Sequence, residues 1–552
     1  MSLGPTRAER IAPWAAGLVL ALPVLVVRFP PMADLPVHEA VVGLLKHWGD
    51  PSFVPPHVYT LNFGQPNQVF YFLILALASV VPIGTASTLV VALTLALLPP
   101  AAAHLAAHLG VTRWTALLVA PIGLGFMFFW GLLANLMGLA AYLFALPALD
   151  RFVARPSRRG FGLACVWLVI LHFVHDLSAL AAAVSVVVLT ACAWRGWREN
   201  AGRLTPPLLL VLLAVLSRAL EERHGNAGQG VMAMPTFLER VRTFPESLFA
   251  GTGWVSAILL AVAAFPLLLF ALERRAGDQR PEPPATFGER HRFEILAGAF
   301  LALYFVAPAT INWTGDPWTG VSQVNQRFLP LAWSILAVAL GPRSPSARAG
   351  RLPRVLAAFL PLAPILVTWP EFLASHRAYR DLEVVIRHMR PGTSHLLLEL
   401  GPTAPDALFS PAVAGGHIVA NIGGRTLFDY TRSPTAPVIQ RREAHWDEVL
   451  ERLERQRYQF VPAHDLQLFH YVVLHTSDPG LGELVRLALE PEARTVFSEG
   501  EFTLLESTLP QVPLDSAEPP FPLPHPTSLD ERALATAKRL GATSAPGAIP
   551  GP

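Results

Sequence analysis

Long apolar runs separated by arginine-rich connections repeat along the first 370 residues of this 552-residue sequence. A helix that crosses a membrane needs about 17–25 mostly apolar residues. Runs that approach this requirement lie near residues 11–29, 86–108, 114–131, 132–152, 161–175, 177–194, 204–220, 252–272, 293–311, 328–342 and 354–370. Hydrophobic residues make up 52% of the chain and charged residues only 15%, which excludes an ordinary soluble protein of this length. The sequence predicts an α-helical polytopic membrane protein, with a membrane domain over residues 1–370 and about eleven transmembrane helices.

The arginines indicate how these helices are oriented, because cytoplasmic loops of membrane proteins are enriched in Arg and Lys. If the short run from Val69 to Ile83 does not cross, arginines concentrate in alternate connections, around residues 113, 151–159, 195–203, 274–292 and 343–354. If that run crossed, every later loop would change sides and the bias would invert. We therefore expect a cytoplasmic N-terminus, an outer loop over residues 30–85 with interfacial helices, and an extracytoplasmic C-terminal region.

The N-terminal run follows Arg7 and Arg10, is long for a signal-peptide core and precedes no A-x-A cleavage site, so we interpret it as an uncleaved anchor. The bias toward Arg, Ala and Pro is typical of GC-rich bacterial genomes. We expect a multi-pass protein of the bacterial inner (plasma) membrane.

After Pro370 the composition becomes that of a soluble domain. The segments His395–Leu400, Gly415–Ile422 and His470–Thr476 have the pattern of strands, and Arg494–Ser507 that of a hairpin. Helical patterns lie at residues 371–390, 447–456 and 482–489. These patterns predict a small extracytoplasmic α/β domain over residues 371–509. The Pro-rich segment 510–552 lacks apolar periodicity apart from a short possible helix near 529–540, and we expect a disordered tail.

The first outer loop combines ionisable residues with an amphipathic helix. Asp34, His38 and Glu39 lie where the chain leaves the first apolar run. The apolar residues that follow, from Val37 to Trp48, recur at helical spacing and predict a helix lying on the membrane surface. Asp34 is either the N-cap of this helix or a functional carboxylate.

Two later segments on the same predicted side also carry polar side chains. In LHFVHD, His172, His175 and Asp176 share a helix face; near the tenth run lie Asp316 and Arg327. Such side chains bind a divalent metal, act as a general base or bind phosphate, or they merely occupy the headgroup region, where polar groups are tolerated. We expect Asp34, His175, Asp176 and Arg327 to converge on one outward-facing cavity.

Several other chemistries are not indicated. The sequence has no HExxH, Walker loop, GxGxxG after a strand or CxxC. Cys165 and Cys192 lie inside apolar runs and are expected to be inert thiols. His104 and His108 have a metal-compatible spacing but lie near the cytoplasmic end, apart from the other candidate ligands. The net charge of +2 gives no sign of a nucleic-acid partner.

The layout of the membrane part follows a familiar order. A first span leads into an outer loop that opens with an acidic residue, ADLPVHEA, and continues as GQPNQVFYFLILAL. Hydrophobic hairpins with Arg-rich inner loops come next, and a soluble outer region ends the chain. Over residues 11–370 this resembles the GT-C superfamily of membrane glycosyltransferases, which use polyprenyl-phosphate sugars.

The resemblance implies a GT-C-like fold that transfers a sugar from a polyprenyl-phosphate donor to an envelope glycan, lipid or protein. In that superfamily the first outer loop supplies an acidic catalytic residue, which corresponds to Asp34. A second site comes from a later loop; here no DxD or ED pair occurs, and His175 and Asp176 take its place by position. FFWGLLANLMG, residues 128–138, also lacks the acidic residue that several relatives have there.

The corresponding mechanism is inverting transfer. Asp34, with His38 or Asp176, takes the proton of the acceptor hydroxyl. Arg327, together with any bound divalent metal, stabilises the departing lipid phosphate. Two alternatives remain. A transporter or flippase would place ionisable residues near the bilayer midplane, and a catalytically silent assembly protein of the envelope would need no such site.

Overall fold

The computed structural model describes residues 6–220, 231–249, 253–277, 286–312, 322–343, 351–400, 414–427, 459–513 and 527–539, and parts of 431–453. The longer helices are α1 (Arg7–Val26), α2 (Leu35–Lys46), α3 (Val69–Ala78), α4 (Ile83–Leu109), α7 (Leu133–Ala154), α8 (Arg158–Val174), α9 (Asp176–Cys192), α10 (Trp197–Leu220), α12 (Trp254–Gly277), α14 (Arg292–Val306), α15 (Phe328–Ala339), α16 (Arg351–Phe359), α17 (Leu362–Ile386), α18 (Gly415–Ile422), α20 (Pro479–Leu489) and α21 (Leu529–Arg539). Shorter helices are α5 (Ala120–Gly123), α6 (Phe126–Phe129), α11 (Phe237–Thr243), α13 (Phe287–Arg290) and α19 (Pro462–Asp465). The strands are β1 (Tyr59–Leu61), β2 (Val231–Ala233), β3 (Thr310–Asn312), β4 (His395–Glu399), β5 (Val438–Gln440), β6 (Tyr471–His475), β7 (Ala493–Glu499) and β8 (Phe502–Ser507).

The chain is mainly helical and has the helices of a membrane-embedded protein. Within the described residues, six helical segments are long and apolar enough to cross a membrane. They are 7–26, 83–109, 133–154, 200–217, 254–276 and 351–386. The prediction of a helical membrane protein is confirmed in this form.

Two of the predicted runs have a different form. The run at 114–131 is not one helix but a 3₁₀ helix (Arg113–Val119) followed by α5 and α6. Pro121 lacks an N–H and restricts the residue before it, which interrupts a continuous helix there. The last run does not end at Pro370, because α17 continues through that residue from Leu362 to Ile386.

The segment from Val69 to Ile83 contains α3, which has ten residues and ends at Ala78. A helix of that length rises only about 15 Å, half of the ~30 Å hydrocarbon thickness. Helix α3 is therefore too short to cross, and α4 begins at Ile83.

The C-terminal part contains a four-stranded sheet in the order β4-β6-β8-β7. Strands β4 and β6 are parallel, and β6, β8 and β7 are successively antiparallel. The predicted strands near 395–400 and 470–476 and the hairpin at 494–507 are present. The segment 447–456 lies largely outside the described residues.

One prediction for this part is wrong, and the short helix expected near 529–540 is present. Gly415–Ile422 is the helix α18 rather than a strand, since seven of its eight residues are buried and short, fully buried apolar runs do not distinguish the two structures. The tail is not wholly disordered: α21 packs Leu529, Ala533 and Ala537 into the hydrophobic core of the sheet.

Helix α2 lies against the C-terminal part instead of on a membrane surface. Every residue from Leu35 to Leu44 is buried. Two glycines allow α2 and α18 to approach closely: a Cβ on Gly43 would lie 2.8 Å from Ala420 Cα, and one on Gly416 would lie 2.6 Å from the Pro36 carbonyl. The predicted helix is present, but protein surrounds it on all sides over residues 35–44, so that it has no exposed face in this part.

The first loop, residues 27–68, is bound to the C-terminal part along its length. Strand β1 pairs with β5 in antiparallel register, Tyr59 with Gln440. The Tyr59 hydroxyl donates to the Gly424 carbonyl at 2.7 Å, and the Asn62 amide donates to the Ala436 carbonyl at 3.0 Å. These contacts hold the loop in one conformation.

A buried ionic cluster joins the two regions. His417 of α18 places Nδ1 2.9 Å from Glu39 Oε2 of α2 and Nε2 3.9 Å from Glu383 Oε1 of α17. Arg28, just after α1, forms an ion pair with Glu383. Burial alone would lower the pKa of His417, but the two carboxylates outweigh it and raise this pKa to about 9. The imidazole is therefore protonated at neutral pH.

The helices have two chemically distinct ends. At one end, the Asp150 carboxylate accepts from Arg292 Nε at 2.8 Å and lies 2.7 Å from His108 Nε2, and Thr112 bonds to Glu9 near the start of α1. His108 is thus hydrogen-bonded rather than isolated. The opposite end carries the first loop, and we call it the first-loop end.

The charge on His417 makes stability depend on pH. Its pKa is about 9 in the folded protein and about 6.5 in an unfolded chain, so the ionic cluster contributes fully below about pH 6.5 and is lost as the pH rises through 9. We expect the melting temperature of the purified protein in detergent to fall between pH 7 and 10. His417→Gln is expected to lower the melting temperature at pH 7 and to flatten its pH dependence, whereas His388→Gln, at an exposed histidine, leaves both unchanged. An unchanged pH profile in His417→Gln would contradict the charged state.

Candidate functional site

A small cavity at the first-loop end brings together side chains from distant parts of the chain. Its volume is about 60 Å³, and its polar lining comes from His38, Asn67, Tyr71, Asn135, His175, Arg327 and Thr435. A single water needs about 10–15 Å³, so the space accepts a group the size of a phosphate rather than a whole sugar. We call it the Arg327 cavity.

Four helices begin at this cavity. Its lining includes residues at or just before the starts of α3, α7, α9 and α15, represented by Asn67, Asn135, His175 and Arg327. The N-terminus of a helix carries a partial positive charge and unsatisfied N–H groups. Several such termini around one space, with a guanidinium, favour an anion.

His38 lies in the first turns of α2 and is buried. Its Nδ1 is 2.9 Å from the Tyr71 hydroxyl, and its ring packs edge-on against Phe70. Burial lowers the pKa of His38 to about 3, although a hydrogen bond with the Gly131 backbone partly opposes this. His38 is therefore a neutral imidazole with one hydrogen bond to the Tyr71 hydroxyl.

His175 and Arg327 meet across the cavity. Arg327 Nη1 donates to His175 Nε2 at 3.5 Å, a long contact. An imidazole that accepts at Nε2 carries its proton at Nδ1. His175 Nδ1 is buried without a hydrogen-bond partner among the described residues, and so is Asn135 Nδ2. Both are donors for an acceptor that enters the cavity.

Asp176 lies beside this group, with a side chain that is 47% exposed. Its Oδ1 is 3.7 Å from His175 Nε2 and accepts from the Leu177 backbone at 2.6 Å. The Asp176 backbone N–H donates to Asn67 Oδ1 at 3.0 Å, which ties the α8–α9 junction to the first loop. The carboxylate is a neighbour of the cavity and is not among its lining residues.

Asp34 is not among the lining residues of the cavity, so of the four residues expected to converge there only His175 and Arg327 do so. The Asp34 side chain does not act as a helix cap either. It occupies the N-cap position of α2, but its carboxylate makes no capping hydrogen bond there. Its backbone abuts Gly131, where a Cβ would lie 2.5 Å from Asp34 N, and Gly131 precedes the lining residue Leu132. Asp34 is also one helical turn before His38. The N-cap interpretation of its side chain is wrong.

The remaining candidates lie elsewhere. His172 Nε2 is 3.0 Å from Ser217 Oγ, away from the lining. Glu39 faces His417 in a second cavity. Asp316 lies outside the described residues. Within the described part of the chain, no three His, Cys, Asp or Glu side chains gather closely enough to hold a metal ion.

Sequence reasoning missed several polar residues of the site. Asn67 and Tyr71 occur in GQPNQVFYF, and Asn135 is the polar residue of GLLANLMG. Isolated amides in apolar surroundings were the available signal, because a buried amide needs hydrogen-bond partners. His417 gave no comparable local signal, since its hydrogen-bond partner Glu39 is 378 residues away in the chain.

No protein-family model, no curated protein and no solved structure was found to match this chain.

Close packing at Gly138 holds the wall of the Arg327 cavity. A Cβ there would lie 2.2 Å from Ser178 Oγ and 2.8 Å from His175 Cβ. We expect Gly138→Ala to displace the start of α9 and to lower the free energy of unfolding by about 1–3 kcal/mol, as overpacking does. Gly162→Ala, where a Cβ would meet nothing within 4 Å, is the matched control and is expected to be neutral or stabilising. Melting curves of both variants in detergent measure this; an unaffected Gly138→Ala would refute the tight contact.

Proposed function

We propose that this protein is a membrane glycosyltransferase of GT-C type, which moves a sugar from a polyprenyl-phosphate donor to an acceptor in the bacterial envelope. The observation that carries the proposal is the Arg327 cavity, where four helix starts surround a guanidinium and two donors that have no hydrogen-bond partner among the described residues. This arrangement suits one phosphate group at the end of a bundle of apolar helices. The long lipid tail of such a donor would lie along those helices.

Arg327 is the proposed phosphate ligand. A guanidinium binds phosphate through two parallel hydrogen bonds, and burial strengthens them. The protonated Nδ1 of His175 and the Asn135 amide supply further donors. The same groups stabilise the negative charge that grows on the phosphate as the sugar leaves.

Asp34 is the proposed general base. As the acceptor hydroxyl attacks the anomeric carbon, its proton passes to the Asp34 carboxylate. The new C–O bond forms while the bond from the anomeric carbon to the phosphate oxygen breaks, and its electron pair leaves with polyprenyl phosphate. His38 is too weakly basic for this step because burial lowers its pKa to about 3. Its hydrogen bond with Tyr71 positions the wall beside the reacting groups.

The proposal also includes the number of membrane crossings, the location of the C-terminal part and the orientation of the helices. Eleven crossings would require the interrupted segment 113–129 and the helices α8, α9, α14 and α15, of 17, 17, 15 and 12 residues, to cross as well. The sheet and its helices would form an extracytoplasmic domain that presents the acceptor. The first-loop end would face outward, and the end with Asp150 would face the cytoplasm, as the arginine distribution favours.

The variant Asp34→Asn distinguishes a catalytic role of the Asp34 carboxylate from a structural one. Since Asn keeps the shape of the Asp side chain and one of its acceptor oxygens, Asp34→Asn is expected to keep the melting temperature of the wild type. An amide does not act as a base at neutral pH, so sugar transfer is expected to fall by about 10²–10⁴. The measurement is transfer from a polyprenyl-phosphate sugar by the purified proteins in detergent.

Asp176→Asn is the matched control at the second carboxylate near the cavity, and it is expected to retain more activity than Asp34→Asn. Near-normal turnover by Asp34→Asn would refute its role as base. No transfer by the wild type with a panel of such donors would refute the proposed function.

Cysteine labelling tests the orientation. Ser157 lies between α7 and α8 at the end of the bundle opposite the first loop. A Ser157→Cys variant, in a chain whose two native cysteines are replaced, is expected to resist an impermeant thiol reagent in intact cells and to react after the membrane is opened. A cysteine at exposed Ser52 serves as the outward control. Labelling of residue 157 in intact cells would contradict this orientation and favour the opposite one.

A further inference from the structure

A second cavity at the first-loop end is larger and separate in its polar lining from the Arg327 cavity. Its volume is about 210 Å³, more than ten times what one water needs. It lies between the end of α1, the helices α2, α17 and α18, and the start of α4. The charged residues of its lining are Arg28, Glu39, Lys46, Glu383 and His417.

The charges of this lining do not cancel. Each ring nitrogen of His417 faces a carboxylate, Nδ1 at 2.9 Å from Glu39 and Nε2 at 3.9 Å from Glu383, and two negative charges this close favour the protonated imidazole. Arg28, Lys46 and His417 then carry three positive charges against the two carboxylates. His47, also in the lining, has a pKa lowered by burial and by Lys46, and it is neutral at pH 7. The net charge of one fits a ligand with a single negative charge.

One donor in this cavity lacks an acceptor. His417 Nε2 has no hydrogen-bond partner among the described residues, because Glu383 Oε1 is 3.9 Å away. The His417 side chain is only 5% exposed. Leaving a buried charged donor unsatisfied is costly, so an oxygen from a ligand would stabilise it.

The position of the cavity indicates where that oxygen comes from. Helix α1 ends and α4 begins beside it, and both are long and apolar enough to cross a membrane. The ends of such helices lie at the depth of the lipid headgroups. An ester phosphate that links two groups carries one negative charge, which matches the lining. We propose that this cavity binds the phosphodiester of an anionic phospholipid, at a site that does not depend on sugar transfer.

Gly84 gives a direct way to fill the cavity. It lies in the first turn of α4, and a Cβ there would meet only Glu39 Oε1, at 3.8 Å. Gly84→Leu therefore places a side chain in the ligand space without a backbone clash. Gly162→Leu is the matched control, since a Cβ at Gly162 meets nothing within 4 Å.

The two lysines of the chain provide the readout. Lys46 lines the cavity, whereas Lys538 is exposed on α21. The full-length protein in a neutral detergent is titrated with dihexanoylphosphatidylglycerol below its micelle concentration. Acylation of each lysine by an amine-reactive ester is followed by mass spectrometry. We expect saturable protection of Lys46, constant labelling of Lys538, and an affinity at least about tenfold weaker in Gly84→Leu, as for loss of a charge-assisted contact.

Lys46→Gln tests the same site independently, in case Gly84→Leu does not fold. The lipid is expected to raise the melting temperature of the wild type, and this rise, followed against lipid concentration, also measures the affinity. By this measurement Lys46→Gln is expected to bind the lipid about fivefold more weakly, the effect of one lysine near a headgroup. Lys538→Gln is expected to behave as wild type. Equal affinity in Lys46→Gln and wild type would overturn the charge argument.

Further ligands decide the source of the phosphodiester. Glycerophosphoglycerol, the same headgroup without tails, and the zwitterionic dihexanoylphosphatidylcholine are both expected to protect Lys46 more weakly. Equal protection by the tailless headgroup would assign the site to a soluble phosphodiester and overturn the lipid source. Equal protection by phosphatidylcholine, or protection that survives in Gly84→Leu, would overturn the proposed site.

Discussion

The protonated His417 between Glu39 and Glu383 is the interaction on which the arrangement of the first-loop end depends. It connects α2, α17 and α18, and Arg28 extends it to the end of α1. Removing these charges from water is expensive, and their mutual attraction compensates only when all of them are in place. The cluster therefore favours one relative position of helices that lie far apart in the sequence, and alternative packings would leave a buried charge without its counter-ion.

The shape of the Arg327 cavity depends on how the helices pack at the first-loop end. One wall consists of Asn67, near the end of the first loop, and Phe70 and Tyr71 of α3. It follows a segment whose backbone is held by the C-terminal part, and the Gln68 amide donates to the Thr435 carbonyl at 3.1 Å. Thr435 itself lines the cavity. The opposite wall comes from the starts of α7, α9 and α15 in the bundle. The region after α17 is thus part of the site's framework, although its sequence suggests a separate soluble domain.

The sequence predicted what local patterns determine. Long apolar runs indicated helices such as α4 and α7, and short runs rich in Leu and Val indicated β4 and β6. Polar positions at run boundaries singled out His38, His175 and Arg327. It did not predict what distant contacts determine. The apolar side chains of a helix such as α2 must be buried, and their spacing does not reveal whether lipid or α18 buries them. The run Gly415–Ile422, in which only Asn421 is exposed, has too few exposed positions to show its period, and Glu39 gave no indication of His417 as its partner.

The glycine contacts between α2 and α18 also bear on how the molecule is made. Val37 touches the position of Gly416, so the partner of α2 is synthesised almost four hundred residues later. At about 5–20 residues per second, that interval lasts roughly 20–80 s. During this time His38 and Glu39 have neither their final burial nor their counter-charge, and an apolar helix face remains without its cover. Nascent chains that stop before residue 415 are consequently expected to need a chaperone, or the bilayer surface itself, as a temporary substitute for α18.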